Sequence, residues 1–325
     1  MAGGHVQMDE TPIDYLEPGH GRTKQGYLWT GSRPRGDVFF HWETSRATAC
    51  LDRVIPVTFT GTIQCDGYAA YRAFANGRGP AIELAGCWAH VRRKFHDALE
   101  SAPRIAGWLL HQIQHLYRIE ARLREHRAGP RLRAAVRASE SRPLVKRMER
   151  ALVKLKASKR QLPQSLLGTA IDYALGQWRM LEIYPADGRV EIDNNLVENA
   201  IRPTAIGKKN WLFVGEAAAG QRSAIIYTLI ESCRRRGLNP FSYLREVLTR
   251  LPNMTTTKSR KSRRQLGIRP KGNCKPHHNR QSIYLSRLQT LYHRSVKRIW
   301  TLRLRLFPED DGTGFLALAH AAAKL

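Results

Sequence analysis

Three acidic residues lie where they could hold divalent metal ions together. Asp9 occurs in MDETP at the end of a predicted first strand, Asp66 follows GTIQC at the end of a predicted fourth strand, and Glu198 lies on a predicted helix in DNNLVENAIRP. Mg²⁺ prefers oxygen ligands, and two ions roughly 4 Å apart can clamp the attacking and leaving oxygens of a phosphoryl displacement. Without metal the same carboxylates would repel one another. We therefore predict that Asp9, Asp66 and Glu198 are catalytic residues that bind two metal ions.

An isolated aspartate at a strand end is usually a cap or a turn residue, so the prediction depends on the elements that position the three carboxylates. Runs of β-branched and aromatic residues predict strands, and helical periodicity predicts the segments between them. The predicted order is three strands, a helix, a strand, a helix, a strand and a helix. The strands are His5–Glu10, Gly26–Thr30, Asp37–Trp42, Gly61–Cys65 and Ala81–Gly86, and the helices lie in Arg46–Phe59, Gly67–Ala75 and Trp88–Ser101.

This order is typical of the ribonuclease H-like fold, an α/β fold with a mixed sheet and helices on its faces. In such a sheet the first and fourth strands are neighbours, so Asp9 and Asp66 converge. A later helix that packs across the sheet can bring Glu198 to the same point.

The segment from about residue 105 to 184 changes character. It is rich in Leu, Arg, Ala and Lys, has helical periodicity, and is broken at Gly129-Pro130, Pro143, Pro163 and Pro185. We predict three or four inserted helices whose arginine-rich faces are solvated. A helix then starts in Glu191–Ile201, capped by Asp193 or Asn194, followed by a turn or short strand in Lys209–Gly215. Two more helices are predicted, at Gly220–Arg236 and Pro240–Leu251.

The chain is therefore expected to contain a core that the insertion interrupts. The predicted parts are residues 1–103 (core, first part), 104–186 (helical insertion, between the second and third carboxylates), 187–252 (C-terminal helices of the core) and 253–325 (a basic, poorly ordered tail).

Composition favours a polyanionic partner. The formal net charge is +27 over 325 residues, and each Lys or Arg that meets a phosphate releases counterions. No run of about 18 apolar residues predicts a membrane span. Five scattered cysteines do not form a disulfide framework, and they fit a reducing compartment such as the cytoplasm.

Several segments resemble the transposases of the insertion sequence 66 family, which belong to the DDE group. They are MDETP, GTIQCDGYAAY, GCWAHVRRKFHDA, VEIDNNLVENAIRPTAIGKKNWLFVG and AIIYTLIESCRRRGLNPFSYLREVLTRLP, and they follow one another over His5 to Pro252. The resemblance implies a DDE triad on Asp9, Asp66 and Glu198, dependence on Mg²⁺ or Mn²⁺, and cutting and joining of transposon ends in the bacterial nucleoid. It also implies a homo-oligomer on DNA. Near neighbours that could replace the first and third members are Glu10, Glu191 and Asp193.

Basic and aromatic residues near the carboxylates are predicted to contact DNA. Arg202 lies one helical turn after Glu198 and could orient that carboxylate or hold a phosphate. A surface turn with Trp211 in the core is an equally good interpretation of the lysine-rich segment. The predicted contacts are Arg92, Arg93, Arg202, Lys208, Lys209 and Trp211.

Cys87 and His90 form a Cys-x2-His pair, as metal sites often do. A structural zinc site needs two more ligands, and no second pair with suitable spacing follows. We therefore expect a buried Cys87 and a His90 on a helix near the active site.

The chain departs from the family pattern at both ends. Asp9 is almost at the start, so the long N-terminal region with the DNA-reading part is expected to be missing. After LTRLPNMT the family pattern is lost, as after a change of reading frame. Two alternatives to an active transposase therefore stay open: a non-catalytic DNA-binding remnant, and another ribonuclease H-like nuclease that acts on RNA–DNA hybrids.

Overall fold

The computed structural model describes residues 4–17, 19, 21–158 and 162–250. Residues up to Glu231 form one compact unit, and a second unit begins at Ser232. The predicted tail after residue 253 lies outside the described residues. The predicted division of the chain into core, insertion and tail stays a prediction.

A mixed six-stranded sheet forms the centre of the first unit. Its order is β3-β2-β1-β4-β5, and β6 pairs with the far end of β1. β1 pairs antiparallel with β2 and parallel with β4, while β5 is parallel to β4. The prediction that the first five strands share one sheet, with the first and fourth adjacent, is therefore confirmed. The strands are β1 (Gly4–Leu16), β2 (Thr23–Ser32), β3 (Val38–Glu43), β4 (Gly61–Gln64), β5 (Ile82–Ala85) and β6 (Phe213–Glu216).

The positions of Asp9 and Asp66 relative to strand ends were predicted wrongly. β1 continues to Leu16 because the alternation goes on through TPIDYL and pairs with β2 along its length. β4 already ends at Gln64, two residues before Asp66. Pairing between β1 and β4 stops at Gln7 and Gln64, however, so both aspartates follow the last paired residues of the two strands.

Side chains alternate across the sheet, so each face has its own core. Trp29 packs with α1 and α2 on one face, while Leu28 packs with Val197 of α10 on the other. The helices between the strands are α1 (Thr48–Val54), α2 (Ala69–Arg78) and α3 (Trp88–Asp97). All three lie within the predicted helical segments or within three residues of them.

Helices make up the described part of the segment predicted as an insertion. The predicted number of three or four helices was too low. Pro143 does not interrupt a helix, because it lies in the first turn of α6, where the missing N–H of proline costs no helical hydrogen bond. A π-helical turn, Arg137–Ser141, joins α5 to α6. The helices are α4 (Pro103–Glu125), α5 (Pro130–Val136), α6 (Arg142–Ala157), α7 (Leu166–Gly176), α8 (Trp178–Leu181) and α9 (Ile183–Ala186).

Three helices follow the insertion. α10 (Asn195–Trp211) packs on β1 and β2, and α11 (Ala217–Arg235) follows the short strand β6. α12 (Pro240–Arg250) lies in the second unit. Within the described ranges, no helix combines the length and apolar character that crossing a membrane requires.

Candidate active site

Two buried glutamines attach the start of α10 to the centre of the sheet. Gln7 and Gln64 lie opposite each other on β1 and β4, and the Gln7 amide donates to Oε1 of Gln64 at 3.0 Å. Gln7 also donates to the carbonyl of Asp193 at 2.7 Å and accepts from the N–H of Val197 at 3.3 Å. Gln64 donates to the carbonyl of Glu191 at 2.8 Å. The loop before α10 is thereby fixed over the junction of β1 and β4.

Asp9 and Asp66 follow these glutamines by two residues, and both are half-buried. Burial raises the pKa of Asp9 well above its usual range, and the charges of Glu10, Asp66 and Glu198 raise it further. Asp66 accepts a hydrogen bond from the N–H of Tyr68 at 2.9 Å, which fixes the turn after β4. Asp66 and Glu198 therefore lie close enough to Asp9 to disfavour the charged form of its carboxyl group.

Glu198 lies in the first turn of α10 and is partly exposed. The backbone carbonyl of Asn194 accepts from its N–H, which fixes the carboxylate to the end of the helix that the glutamines hold. His90 of α3 is the only described basic side chain within ion-pair distance of the three carboxylates, with Nε2 3.7 Å from Oε1 of Glu198. Among the described residues, no lysine or arginine lies within ion-pair distance of Asp9, Asp66 or Glu198, which we call the carboxylate cluster, although the charge of Arg46 acts on Asp66 from farther away.

Glu10, the predicted substitute for Asp9, is already paired. Its buried carboxylate accepts two hydrogen bonds from the guanidinium of Arg46 and one from the hydroxyl of Tyr71 at 2.7 Å. Burial raises the pKa of Glu10, although these hydrogen bonds act in the opposite direction. Because its oxygens are occupied, Glu10 is a poorer candidate for a metal ligand than Asp9.

Asp193 and Glu191 are likewise engaged. Asp193 accepts hydrogen bonds from the N–H and the side-chain amide of Asn195. Asn194 is the N-cap residue of α10 but makes no side-chain cap bond, so Asp193 supplies the carboxylate at this helix end. Glu191 is bound by Arg133 through both oxygens. These contacts leave Glu198 as the acid of this segment best placed for metal.

A buried ionic network holds the chain just before this loop. The guanidinium of Arg137, fully buried, binds the equally buried Glu120 through both carboxylate oxygens. It also donates to the carbonyls of Tyr184, Asp187 and Val190. The prediction that arginines of the insertion are solvated is wrong for Arg137, because it is used to fix the segment that leads to Glu198.

Sequence reasoning missed these positioning residues. One sequence signal could have identified Gln7 and Gln64. Each glutamine precedes an aspartate by two positions, and residues two positions apart lie on the same side of a strand. The pairing of Arg137 with Glu120 had no such signal, because the two residues lie on separate helices.

Cys87 and His90 lie beside the carboxylate cluster. One ligand atom each of Cys87, His90 and Glu198 lie within 4.8 Å of one another. Burial raises the pKa of the Cys87 thiol to about 12, and its sulfur accepts from the N–H of Asn194 at 3.5 Å. The expectation of a buried Cys87 and of a His90 on a helix is confirmed, and His90 lies near the predicted site residue Glu198. A closed zinc site would need a fourth ligand, and the described residues supply only these three.

The predicted DNA contacts fall into two groups. Arg92 and Arg93 are exposed on α3 and line a depression next to α10. The others lie along or at the end of α10: Arg202 and Lys209 are exposed, while Nζ of Lys208 donates to the carbonyl of Pro12. Trp211 is partly buried against the core between the sheet and α10, as the alternative interpretation expected, but the segment is the last turn of α10 and not a surface turn, because the helix continues to Trp211. Their contact with DNA stays a prediction.

Two family models match the chain. The model described as Transposase IS66 family matches residues 1–222. The model described as IS66 C-terminal element matches residues 228–261.

Curated relatives occur in Sinorhizobium fredii. The protein named uncharacterized protein y4qI is 36% identical over 77% of this chain, and uncharacterized protein y4jD is 34% identical over 78%. The matches cover 48% and 51% of those proteins, so the chain spans about half the length of these relatives. No solved structure matches the chain significantly.

Proposed function

The chain belongs to the transposase IS66 family, and we propose that it is the catalytic part of a DNA transposase that cleaves and joins DNA strands with divalent metal ions. The observation that carries this proposal is the carboxylate cluster. Asp9, Asp66 and Glu198 come from a central strand, the turn after its parallel neighbour and the helix across them. They share no basic partner except His90 in the described part of the chain.

The sheet supports a ribonuclease H-like core for this chemistry. Three antiparallel strands are followed by two parallel ones, and the first and fourth strands are adjacent. The helical insertion lies between Asp66 and Glu198 in sequence. Its buried network and Tyr173, whose hydroxyl donates to the carbonyl of Asp66 at 2.7 Å, help to fix both ends of the cluster.

The donor set fits Mg²⁺ or Mn²⁺. Carboxylate oxygens are the ligands that these hard ions take, and the half-buried site is open to solvent and substrate. Asp9, Asp66 and Glu198 would hold two ions. When bound, the ions supply charge stabilisation for the displaced oxygens and lower the pKa of an attacking water or hydroxyl.

The protein's own residues then position the substrate and the ligands. The turn at Tyr68 orients the Asp66 carboxylate, and the glutamine pair holds the start of α10 so that Glu198 faces the strands. Arg92, Arg93, Arg202 and Lys209 are exposed cations for backbone phosphates, which fix the register of DNA rather than its sequence. We propose that the partners are transposon ends and target DNA in the bacterial nucleoid, bound by a homo-oligomer.

A plasmid-nicking assay tests this function. The full chain should convert supercoiled plasmid to nicked circles with Mg²⁺ or Mn²⁺ and not with a chelator. Asp66→Asn should reduce nicking to background, because it keeps the shape but removes a ligand charge. Asp172→Asn is the matched control, since this exposed aspartate of α7 pairs only with Lys156 in the described structure.

Equal nicking by wild type and Asp66→Asn would overturn the assignment. If the wild type binds DNA but does not nick it with either metal, the chain is a DNA-binding protein without turnover. Cleavage only of RNA in RNA–DNA hybrids would instead support a different ribonuclease H-like nuclease.

A further inference from the structure

Helices α3 and α4 enclose a groove that the chemistry of the carboxylate cluster does not use. It consists of two depressions of about 490 Å³ and 340 Å³. Arg92 and Tyr117 line both of them, so the depressions are continuous, and we call them together the α3–α4 groove.

The lining of the α3–α4 groove suits a polyanion. Arg92, Arg93 and His96 face it from α3, and His111 and Gln114 face it from α4. No residue that lines either depression is acidic. An arginine guanidinium group can donate two parallel hydrogen bonds to two oxygens of one phosphate. Histidine and glutamine side chains can donate to phosphate, sugar or base.

The groove begins next to the carboxylate cluster. Its larger depression is lined by Asn195, the first residue of α10, and Glu198 follows within the same turn. Tyr117 is partly buried and packs against the hydrophobic core, so its ring is held in place at the junction of the two depressions. A polyanionic strand that leaves the carboxylate cluster in this direction meets the ring of Tyr117 together with Arg92 and Arg93.

We propose that the α3–α4 groove binds a single DNA strand that continues from the bond held at the carboxylate cluster. This rests on the proposed function and adds the form of the substrate: the strand beside the cut is unpaired. Each depression has the size of a small-ligand site, roughly 300–1,000 Å³, which is large enough for a single nucleotide. A cationic groove with an aromatic ring is the usual way to bind single strands, through backbone phosphates and stacked bases.

Gly107 allows the groove to be altered without disturbing the fold. It lines the smaller depression, and a Cβ atom added there meets only Cδ1 of Leu99, at an ordinary 3.9 Å. Gly107→Glu therefore places a negative charge in the groove, and Gly107→Gln is the control of equal size without charge. Arg104→Ala removes an exposed cation of α4 that does not line the groove.

The experiment measures fluorescence anisotropy of the full chain with a labelled blunt duplex and with the same duplex carrying a single-stranded thymidine extension at either end. The extended duplex should bind more tightly than the blunt one. Gly107→Glu should lower affinity for the extended duplex by about tenfold relative to Gly107→Gln, which corresponds to about one lost base or phosphate contact. Affinity for the blunt duplex should not change, and Arg104→Ala should weaken both duplexes equally.

Tyr117 variants separate stacking from a purely structural role. Tyr117→Phe keeps the ring and removes only the hydroxyl, so the preference for the extended duplex should persist. Tyr117→Leu should abolish that preference.

Equal binding of blunt and extended duplexes by the wild type, or equal effects of Gly107→Glu and Gly107→Gln, would overturn the groove assignment. Either result is compatible with metal-dependent nicking, so it would not refute the proposed function. Conversely, a groove-dependent preference without metal-dependent nicking would refute the proposed function and leave single-strand binding standing.

Discussion

In the helical insertion, buried carboxylates are surrounded by guanidinium groups, whereas at the sheet the carboxylates face one another. Burial acts to raise the pKa of Glu120, but hydrogen bonds and charge from Arg137 and Arg133 outweigh it, and the pKa is lowered. At Asp9 burial acts in the same direction, and the neighbouring carboxylates add to it. The same desolvation therefore has opposite outcomes, because Glu120 lies beside two guanidinium groups and Asp9 lies beside other carboxylates.

This difference indicates two roles. The network of Arg137 and Glu120 is complete within the protein and serves to fix the segment before α10. The carboxylate cluster is proposed to bind cations from solution. Substitutions in the two regions should therefore differ in the sign of their effect on stability and in their response to metal.

The largest effect is expected at Arg137. Arg137→Met removes one of the two guanidinium partners of the fully buried Glu120 and three bonds to backbone carbonyls, and breaking such a buried pair costs about 3–5 kcal/mol. Urea unfolding of this variant, of the wild type and of a control variant measures the loss in unfolding free energy. Arg189→Met is the control: this exposed guanidinium pairs with Asp187, and its loss should cost less than about 1 kcal/mol. Similar losses for both variants would show that the buried network does not hold the insertion.

A smaller loss is expected at Glu10, the neighbour of Asp9. Glu10→Ala leaves the buried hydroxyl of Tyr71 without its acceptor and frees Arg46 to solvent, so unfolding free energy should fall by about 1–3 kcal/mol. Added Mg²⁺ should stabilise this variant as much as the wild type. If Glu10→Ala abolished the stabilisation by Mg²⁺, Glu10 rather than Asp9 would be the metal ligand.

Asp9→Asn should have the smallest effect and the opposite sign. A carboxyl group whose pKa is raised on folding stabilises the folded state while it is protonated, and that stability is lost as pH rises through its folded pKa. Without metal at pH 7, Asp9→Asn should therefore be more stable than wild type, because the pKa of Asp9 is raised on folding and the amide carries no charge. The two proteins should converge below about pH 4, near the ordinary pKa of aspartate.

Thermal melting across this pH range, with and without Mg²⁺, checks the prediction. Mg²⁺ should reverse the order at pH 7, because only the wild type gains stability by binding it. A metal-free Asp9→Asn protein that is less stable than wild type at neutral pH would contradict repulsion within the cluster.

The sequence was most informative where a local pattern determines the structure. Alternation in β1 to β3 predicted the strands, and strand order predicted that Asp9 and Asp66 meet. The sequence was less informative where contacts between residues far apart in the chain determine the structure. The bonds from Gln7 to α10 join residues about 190 positions apart, and Arg137 is buried because Glu120 lies opposite it on another helix. Pro143 was misjudged because a proline is compatible with a first helical turn as well as with a break.

Binding of Mn²⁺ to the full chain tests the difference between the two regions most directly. Titration followed by the electron paramagnetic resonance of free Mn²⁺ should show binding by the wild type and by Glu191→Gln, whose carboxylate is already bound by Arg133. Asp9→Asn and Glu198→Gln should lose it. If Asp9→Asn and Glu198→Gln bound Mn²⁺ as tightly as the wild type, or if the wild type bound none, the carboxylate cluster would not be the metal centre of this protein.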